Sequence, residues 1–257
     1  MQQLLGEASD VFTQKADALK EAINRHFWNE ETGRYDYIFD ETERCSHAEA
    51  LGLAYAILFD VADRSRTESI IRNTYITGHG IACVWPSFSR YRAGDHYGRH
   101  SGTVWPHAQG FWALAMRKAG NGQGFEKELF CLASKAVRDM HFAEIYHPVT
   151  GAIYGGLQED FNQGIIQWKS CERQTWSATA FWSMLYYGIF GLEFSVESVT
   201  VKPYLPTTVN HAELKNLRIG EAVVTISVDR FSKEPSQVTI PKNLTGRHTF
   251  KCSPGKV

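Results

Sequence analysis

The chain has 257 residues, and its 27 lysines and arginines nearly balance its 28 aspartates and glutamates, which leaves a net charge of −1. This balance argues against a nucleic-acid-binding or membrane-surface protein, because both need an excess of positive charge. Hydrophobic residues make up 43% of the sequence, which favours a globular core. No apolar run reaches the roughly 18 residues of a membrane span, and the first ten residues lack the features of a signal peptide.

The five cysteines are odd in number, scattered and without a C-x-x-C pair, which argues against a disulfide framework and a structural zinc site. His96 and His100 are four residues apart, with His107 beyond them. These histidines lie on a glycine-rich loop rather than on one helix face, and they lack the further partner that a metal site needs. The sequence therefore predicts neither a metal nor another cofactor.

Hydrophobic periodicity predicts about six helices before residue 191, in which amphipathic segments alternate with segments that are apolar on almost every side. The predicted helices are Ala8–Phe27, His47–Val61, Arg66–Ile76, Thr103–Ala119, Phe125–His141 and Gln174–Phe190. Three of the linkers are long and alternate with short turns, so we expect the long linkers to share one end of the helices. This pattern predicts a mainly α protein, a partial (α/α)6 toroid of about three helical hairpins.

After residue 191 the pattern changes to short β-branched runs separated by turn residues, such as SVTV, EAVVTISV and SQVTIP. We therefore predict two regions, the helical part over 1–191 and a small antiparallel β-sandwich tail over 192–257. All seven tryptophans precede the boundary, so the candidate functional side chains belong to the first region.

The densest group of aromatic, cationic and imidazole side chains lies in VWPSFSRYRAGDHYGRHSG and in TVWPH directly after it. Flat aromatic faces next to hydrogen-bonding side chains suit the apolar face and the hydroxyl rim of a sugar ring. The alternative is structural, with the tryptophans in the core and the arginines holding the loop. The group contains Trp85, Asp95, Tyr97, Arg99, His100, Trp105 and His107.

The linker before the last predicted helix offers several carboxylates at the mouth of an aromatic cleft. Such a carboxylate is a candidate general base, able to take a proton from water. Spacing alone does not distinguish Glu144 from Glu159 or Glu172, and an ordinary salt-bridged glutamate is the alternative for each. Three further polar or aromatic residues open the last predicted helix, namely Arg173, Gln174 and Trp176.

Several phrases of the sequence resemble the six-hairpin glycosidases. HSGTVWPHAQGFWALA is similar to a helix start of amylo-1,6-glucosidases, and FAEIYHPVTGAIYGG is similar to a segment of processing α-glucosidases and trehalase-like enzymes that carries a catalytic glutamate. CERQTWSATAF resembles the helix that follows this glutamate in both groups. The strands after it look like the C-terminal sandwich of rhamnosidase-type members.

The resemblance implies a glycoside hydrolase with Glu144 as the general base. These enzymes mostly invert the anomeric centre, because a carboxylic acid protonates the leaving oxygen while a carboxylate activates water on the opposite face. Their general acid lies in the N-terminal half of the ring, which implies that this chain is a C-terminal portion; within the chain, Asp95 is the best candidate acid. The sugar contacts that the resemblance implies are Tyr97, Arg99, His100, Trp105, His107, Gln174 and Trp176.

Two other functions fit the same features. A sugar epimerase would use the loop histidines to abstract a proton next to a carbonyl, so neutralising Glu144 should spare its activity. A non-catalytic carbohydrate-binding fragment would lack a second carboxylate opposite Glu144. In every case the partner is a carbohydrate, and an incomplete ring predicts an exposed apolar flank that a second copy or the missing N-terminal half would cover.

Overall fold

The structure is a computed structural model that describes residues 10–40, 43–92 and 94–255. The first two residues of the helix predicted from Ala8 lie outside these ranges. A π-helical segment, Met184–Ile189, directly continues the last helix, and Ser89–Tyr91 forms a short 3₁₀ turn. The described residues contain six α-helices: α1 (Asp10–His26), α2 (Ala50–Leu58), α3 (Arg64–Asn73), α4 (Pro106–Lys118), α5 (Gly122–Asp139) and α6 (Thr175–Ser183).

Strands lie between the helices as well as after them. They pair into five two-stranded sheets, β1–β2, β3–β4, β5–β8, β6–β7 and β9–β10, and two three-stranded sheets, β11–β12–β15 and β13–β14–β16. The strands of the described residues are β1 (Trp28–Asn29), β2 (Arg34–Tyr35), β3 (Ile38–Phe39), β4 (Arg44–Cys45), β5 (Ala48–Glu49), β6 (Ile76–Thr77), β7 (Gly80–Ile81), β8 (Val84–Trp85), β9 (Leu157–Asp160), β10 (Gly164–Gln167), β11 (Leu192–Phe194), β12 (Ser198–Val201), β13 (His211–Ile219), β14 (Glu221–Asp229), β15 (Val238–Pro241) and β16 (Thr245–Cys252).

The prediction of a mainly α protein, built as a partial (α/α)6 toroid of about three hairpins, is wrong. The described residues combine helices with several small sheets, because the long linkers form paired strands. Strands as short as β6 and β7, where Ile76 pairs with Ile81, leave no period-2 pattern in a sequence. Three helices, α2, α3 and α4, are also shorter than predicted, whereas α5 begins three residues earlier than predicted. One begins only at Ala50 because the Glu49 carboxylate caps it by accepting the Leu51 and Gly52 N–H groups at 3.1 and 2.5 Å.

The chain divides into two compact units, residues 1–119 with 123–181 and residues 120–122 with 182–257. In the first unit α4 is largely buried and packs against α2. A Cβ atom at Gly110 would lie 2.8 Å from the Ala180 Cβ, so glycine allows α4 and α6 to approach closely. By contrast, α1 has no buried residue and exposes Phe12 and Leu19. None of the helices in the described part of the chain is long and apolar enough to cross a membrane.

The second unit contains both three-stranded sheets. Every other residue of β14 is fully buried, namely Ala222, Val224, Ile226 and Val228, which is the alternation of a strand with one face on a core. The prediction of a purely antiparallel tail is wrong at one pair, because β14 and β16 run parallel. A parallel pair needs a crossover connection, and the segment between these strands, which places β15 in the other sheet, supplies it.

Candidate active site

Glu144 lies after the end of α5, and a second segment of the chain fixes its backbone. Its N–H donates to the Cys171 carbonyl at 2.8 Å, and the Cys171 N–H donates to Glu144 Oε2 at 3.1 Å. The next N–H, that of Ile145, donates to Ser170 Oγ at 3.1 Å. The two segments therefore form a short ladder that orients the carboxylate.

The other carboxylate oxygen is held by an arginine. Arg99 Nη2 donates to Glu144 Oε1 at 2.8 Å, and Arg99 Nη1 donates to the Gly155 carbonyl at 3.1 Å. The Arg99 side chain is 14% exposed and the Glu144 side chain is 8% exposed, so this ion pair is largely shielded from water. The bonds from Arg99 and from the Cys171 N–H fix the carboxylate. Each carboxylate oxygen has more than one lone-pair position, so the group can still accept a further hydrogen bond.

Aromatic rings surround the Arg99 side of the pair. The Trp105 indole N–H donates to the Arg99 carbonyl at 2.7 Å, and its ring centroid lies 5.5 Å from the Arg99 guanidinium carbon. His100 stacks on Trp105 with ring centroids 4.8 Å apart, and Trp176 stacks on Trp105 at 6.4 Å. Trp176 is 44% exposed, so its face is accessible to a ligand. The structure thus groups Glu144 with four residues that were selected from the sequence, namely Arg99, His100, Trp105 and Trp176.

The two histidines beside this group are shifted towards their neutral form. Burial lowers the pKa of His100, the positive charge of Arg99 lowers it further, and the negative charge of Glu144 opposes both. Burial also lowers the pKa of His107, with a smaller contribution from His100. The His107 Nδ1 atom is buried and has no hydrogen-bond partner among the described residues. Neutral imidazoles carry one donor and one acceptor nitrogen, which suits sugar hydroxyls.

Trp85 and Tyr97 form a separate aromatic group. Trp85 stacks on Tyr75 at 4.8 Å and lies 6.5 Å from Tyr97, which packs edge-on against His147 at 5.2 Å. Tyr97 is buried, and its backbone N–H donates to the Tyr154 hydroxyl at 3.1 Å. These contacts place Trp85 and Tyr97 in one cluster of rings with Tyr75 and His147.

Asp95 is exposed, and its backbone is tied to the turn that follows Glu144. His147 Nδ1 accepts the N–H groups of Val149 and Thr150, both at 3.2 Å, so the ring hydrogen is on Nε2. That Nε2 donates to the Asp95 carbonyl at 2.8 Å. The histidine therefore joins the backbone at Asp95 to the turn that follows Glu144.

The remaining predicted residues lie at the start of α6. Arg173 is exposed. The Gln174 N–H donates to the Phe142 carbonyl at 2.8 Å, and the Gln174 amide oxygen accepts the Thr175 N–H at 3.0 Å. These bonds hold the beginning of α6 next to the segment before Glu144.

The three carboxylates that spacing left open occupy different environments. Glu144 is 6% exposed and bonded at both oxygens. Glu159 lies on the surface, 3.6 Å from Arg90 in an exposed ion pair, and Glu172 is exposed as well. Of these three glutamates, Glu144 has the environment of a positioned side chain.

Sequence reasoning missed two residues of this site. Trp168 is 41% exposed and its ring lies 5.9 Å from the Arg99 guanidinium carbon, while Cys171 holds Glu144 through its backbone. Neither contact leaves a spacing signal, because the partners are far apart in the sequence. The one available signal was the tryptophan itself, directly after the β10 strand. Within the described ranges, no group of three or more His, Cys, Asp or Glu side chains is placed to hold a metal ion.

Residues 1–177 match the family model of the mannosylglycerate hydrolase MGH1-like glycoside hydrolase domain. An uncharacterized conserved protein from Thermus thermophilus is 16% identical over 71% of this chain and 43% of that one, with a TM-score of 0.54. A GH63 mannosylglycerate hydrolase from the same organism, solved in complex with Tris, is also 16% identical, over 72% of this chain and 40% of that one, with a TM-score of 0.53.

The neutral trehalase of Saccharomyces cerevisiae is 17% identical over 70% of this chain and 31% of that one, with a TM-score of 0.51. At these identities the likeness concerns the fold alone. The chain spans less than half the length of the solved structures it matches. No curated protein sequence matches it significantly.

Proposed function

The chain belongs to the MGH1-like glycoside hydrolase family, and we propose that it hydrolyses a glycosidic bond with Glu144 as the general base. The resemblance to glycosidases in its sequence is confirmed at the level of the family. The observation that carries the proposed role of Glu144 is the buried carboxylate held at one oxygen by Arg99 and at the other by a backbone N–H.

The proposed reaction is an inverting hydrolysis. Glu144 takes a proton from a water molecule, whose oxygen forms a bond to the anomeric carbon while the bond to the leaving oxygen breaks. A carboxylic acid on the other side of the sugar gives its proton to that leaving oxygen. Within this chain Asp95 is the candidate for the acid, since His147 ties its backbone to the turn after Glu144.

The aromatic and imidazole side chains support a sugar as the substrate. Trp176 presents an exposed flat face and is backed by the buried Trp105, and burial lowers the pKa of His100 and of His107, which favours neutral hydrogen-bonding imidazoles. These groups recognise hydroxyls and C–H faces rather than charges. We propose that Tyr97, Trp85, Arg173 and Gln174 shape the same cleft.

The first test compares Glu144→Gln with Glu159→Gln, a matched control on an exposed glutamate. The substrates are mannosylglycerate, trehalose and a panel of aryl glycosides. We expect Glu144→Gln to lower kcat by about 10³-fold, within the range that general bases contribute, and Glu159→Gln to leave it unchanged. Full activity in Glu144→Gln, with native circular dichroism in both variants, would contradict the proposal.

The same assay addresses the other parts of the proposal. NMR of the first-formed sugar anomer checks inversion, and Asp95→Asn checks whether the acid belongs to this chain. An activity that survives in Glu144→Gln as isomerisation of a free sugar would favour the epimerase. Sugar binding without turnover in the unmodified chain would favour the carbohydrate-binding fragment.

A further inference from the structure

We propose that Trp168 and Gln158, on the hairpin formed by β9 and β10, make a sugar-binding subsite next to Glu144. The proposal rests on the proposed function, because it takes the ligand to be a carbohydrate. The subsite adds a stacking face that is distinct from Trp176, since Trp168 contacts Arg99 whereas Trp176 contacts Trp105.

The hairpin is attached to the segment that carries Arg99. The Leu157 N–H donates to the Tyr97 carbonyl at 2.8 Å, and the Arg99 N–H donates to the Leu157 carbonyl at 2.7 Å. Gly98 pairs with Leu157 in parallel, and Leu157 pairs with Gln167 across the hairpin. Side chains alternate between the faces of such a sheet. One face therefore carries Arg99, Gln158, Ile166 and Trp168.

Two glycines allow the hairpin to approach this closely. A Cβ atom at Gly155 would overlap the Trp168 carbonyl, and one at Gly156, whose φ is +79°, would overlap the Arg99 backbone. The Trp168 N–H donates to the Gly156 carbonyl at 2.9 Å, which fixes the backbone of the tryptophan. The indole is consequently held against the Arg99 guanidinium while 41% of the residue stays exposed.

The chemistry of this face fits an uncharged sugar ring. The exposed indole surface offers a stacking partner for the C–H face of a pyranose, and the Gln158 amide offers both a donor and an acceptor for hydroxyls. The positive charge of Arg99 is already paired with Glu144. The subsite therefore offers shape and hydrogen bonds rather than a free charge.

The experiment is a calorimetric titration of the full chain with glucose, mannose and trehalose. Glu144→Gln serves as the parent protein, so that no substrate is turned over. We expect Trp168→Ala in this parent to weaken binding of at least one sugar about tenfold, a loss of stacking worth about 1.4 kcal/mol. Trp168→Phe should recover most of the affinity. Phe161→Ala, at the exposed tip of the same hairpin, is the matched control and should bind like the parent.

Equal affinities of Trp168→Ala and its parent would overturn the subsite, and so would a parent that binds none of the three sugars. In the enzyme with Glu144 intact, Trp168→Ala should raise KM. A fall in kcat at constant KM would instead mean that Trp168 only supports Arg99, which also overturns the proposal. If Glu144→Gln stays active while Trp168→Ala weakens binding, the subsite stands and the assignment of the general base fails.

Discussion

Two buried carboxylates of the first unit lie in contrasting environments. Glu144 has both oxygens bonded and pairs with Arg99 at 2.8 Å. Glu128 is 1% exposed, and burial raises its pKa to about 7. Its Oε2 accepts the Ile81 N–H at 3.2 Å, but its Oε1 accepts no hydrogen bond from the described residues. Burial is therefore common to the two carboxylates, and what distinguishes Glu144 is that both of its oxygens accept hydrogen bonds.

The cations near the two carboxylates also differ, because Arg99 bonds its carboxylate whereas Lys135 does not. Lys135 is seven residues after Glu128 on α5, so both side chains lie on the same helix face. Its Nζ donates to the His79 carbonyl at 2.6 Å rather than to the carboxylate, and burial lowers its pKa to about 8. Gln109 Nε2 donates to the Glu128 carbonyl at 3.2 Å. This cluster ties α4 and α5 to the β6–β7 turn, which is a structural role.

The largest effect that would sharpen this comparison is expected at Lys135. Lys135→Met removes the donor of the hydrogen bonds that the His79 carbonyl and Gln109 Oε1 accept, so we expect the free energy of unfolding to fall by about 3 kcal/mol. Urea unfolding followed by circular dichroism measures the change. Lys127→Met, on the exposed side of the same helix, is the control. Equal stability of the two variants would show that Lys135 does not stabilise the interior.

The next effect is expected at the other cation. Arg99→Met should lower kcat about 100-fold, because the Glu144 carboxylate loses the bond that orients it, and small displacements of a catalytic group cost that much. Arg99→Lys should restore part of the rate, since an ammonium keeps the charge but does not match the guanidinium fork. Steady-state kinetics of the folded variants decide the matter. A rate unchanged in Arg99→Met would break the contrast between the two pairs.

The smallest effect is a pH dependence at Glu128. In the folded state this carboxyl keeps its proton up to a pKa of about 7, whereas its ordinary value is 4.5. The stability it contributes is therefore present below pH 4.5 and is lost as the pH rises through 7. Between pH 5 and 8 the unmodified chain should lose about 2.5 kcal/mol relative to Glu128→Gln. The same difference in unfolding free energy between the unmodified chain and Glu128→Gln at pH 5 and at pH 8 would contradict this prediction.

Contiguous features of the sequence predicted the grouping of side chains around Arg99 better than they predicted the fold. Glu144 and Trp105 stand in phrases that could be recognised as they are written, and the structure brings their side chains to the same arginine. Trp168 contacts Arg99 from a distant hairpin, and no local pattern encodes that contact. Periodicity found the helices but not two-residue strands, whose stability comes from partners elsewhere in the chain. The parallel β14–β16 pair was missed because a strand pattern does not specify direction.

The ladder between Glu144 and Cys171 also makes the site observable. The Cys171 backbone is bonded to the carboxylate, while the residue itself is exposed to solvent. A small fluorophore attached to this thiol would be carried by a residue whose backbone N–H bonds the Glu144 carboxylate. Its emission would then report the arrival and departure of a ligand in real time, without any need to know which product is formed.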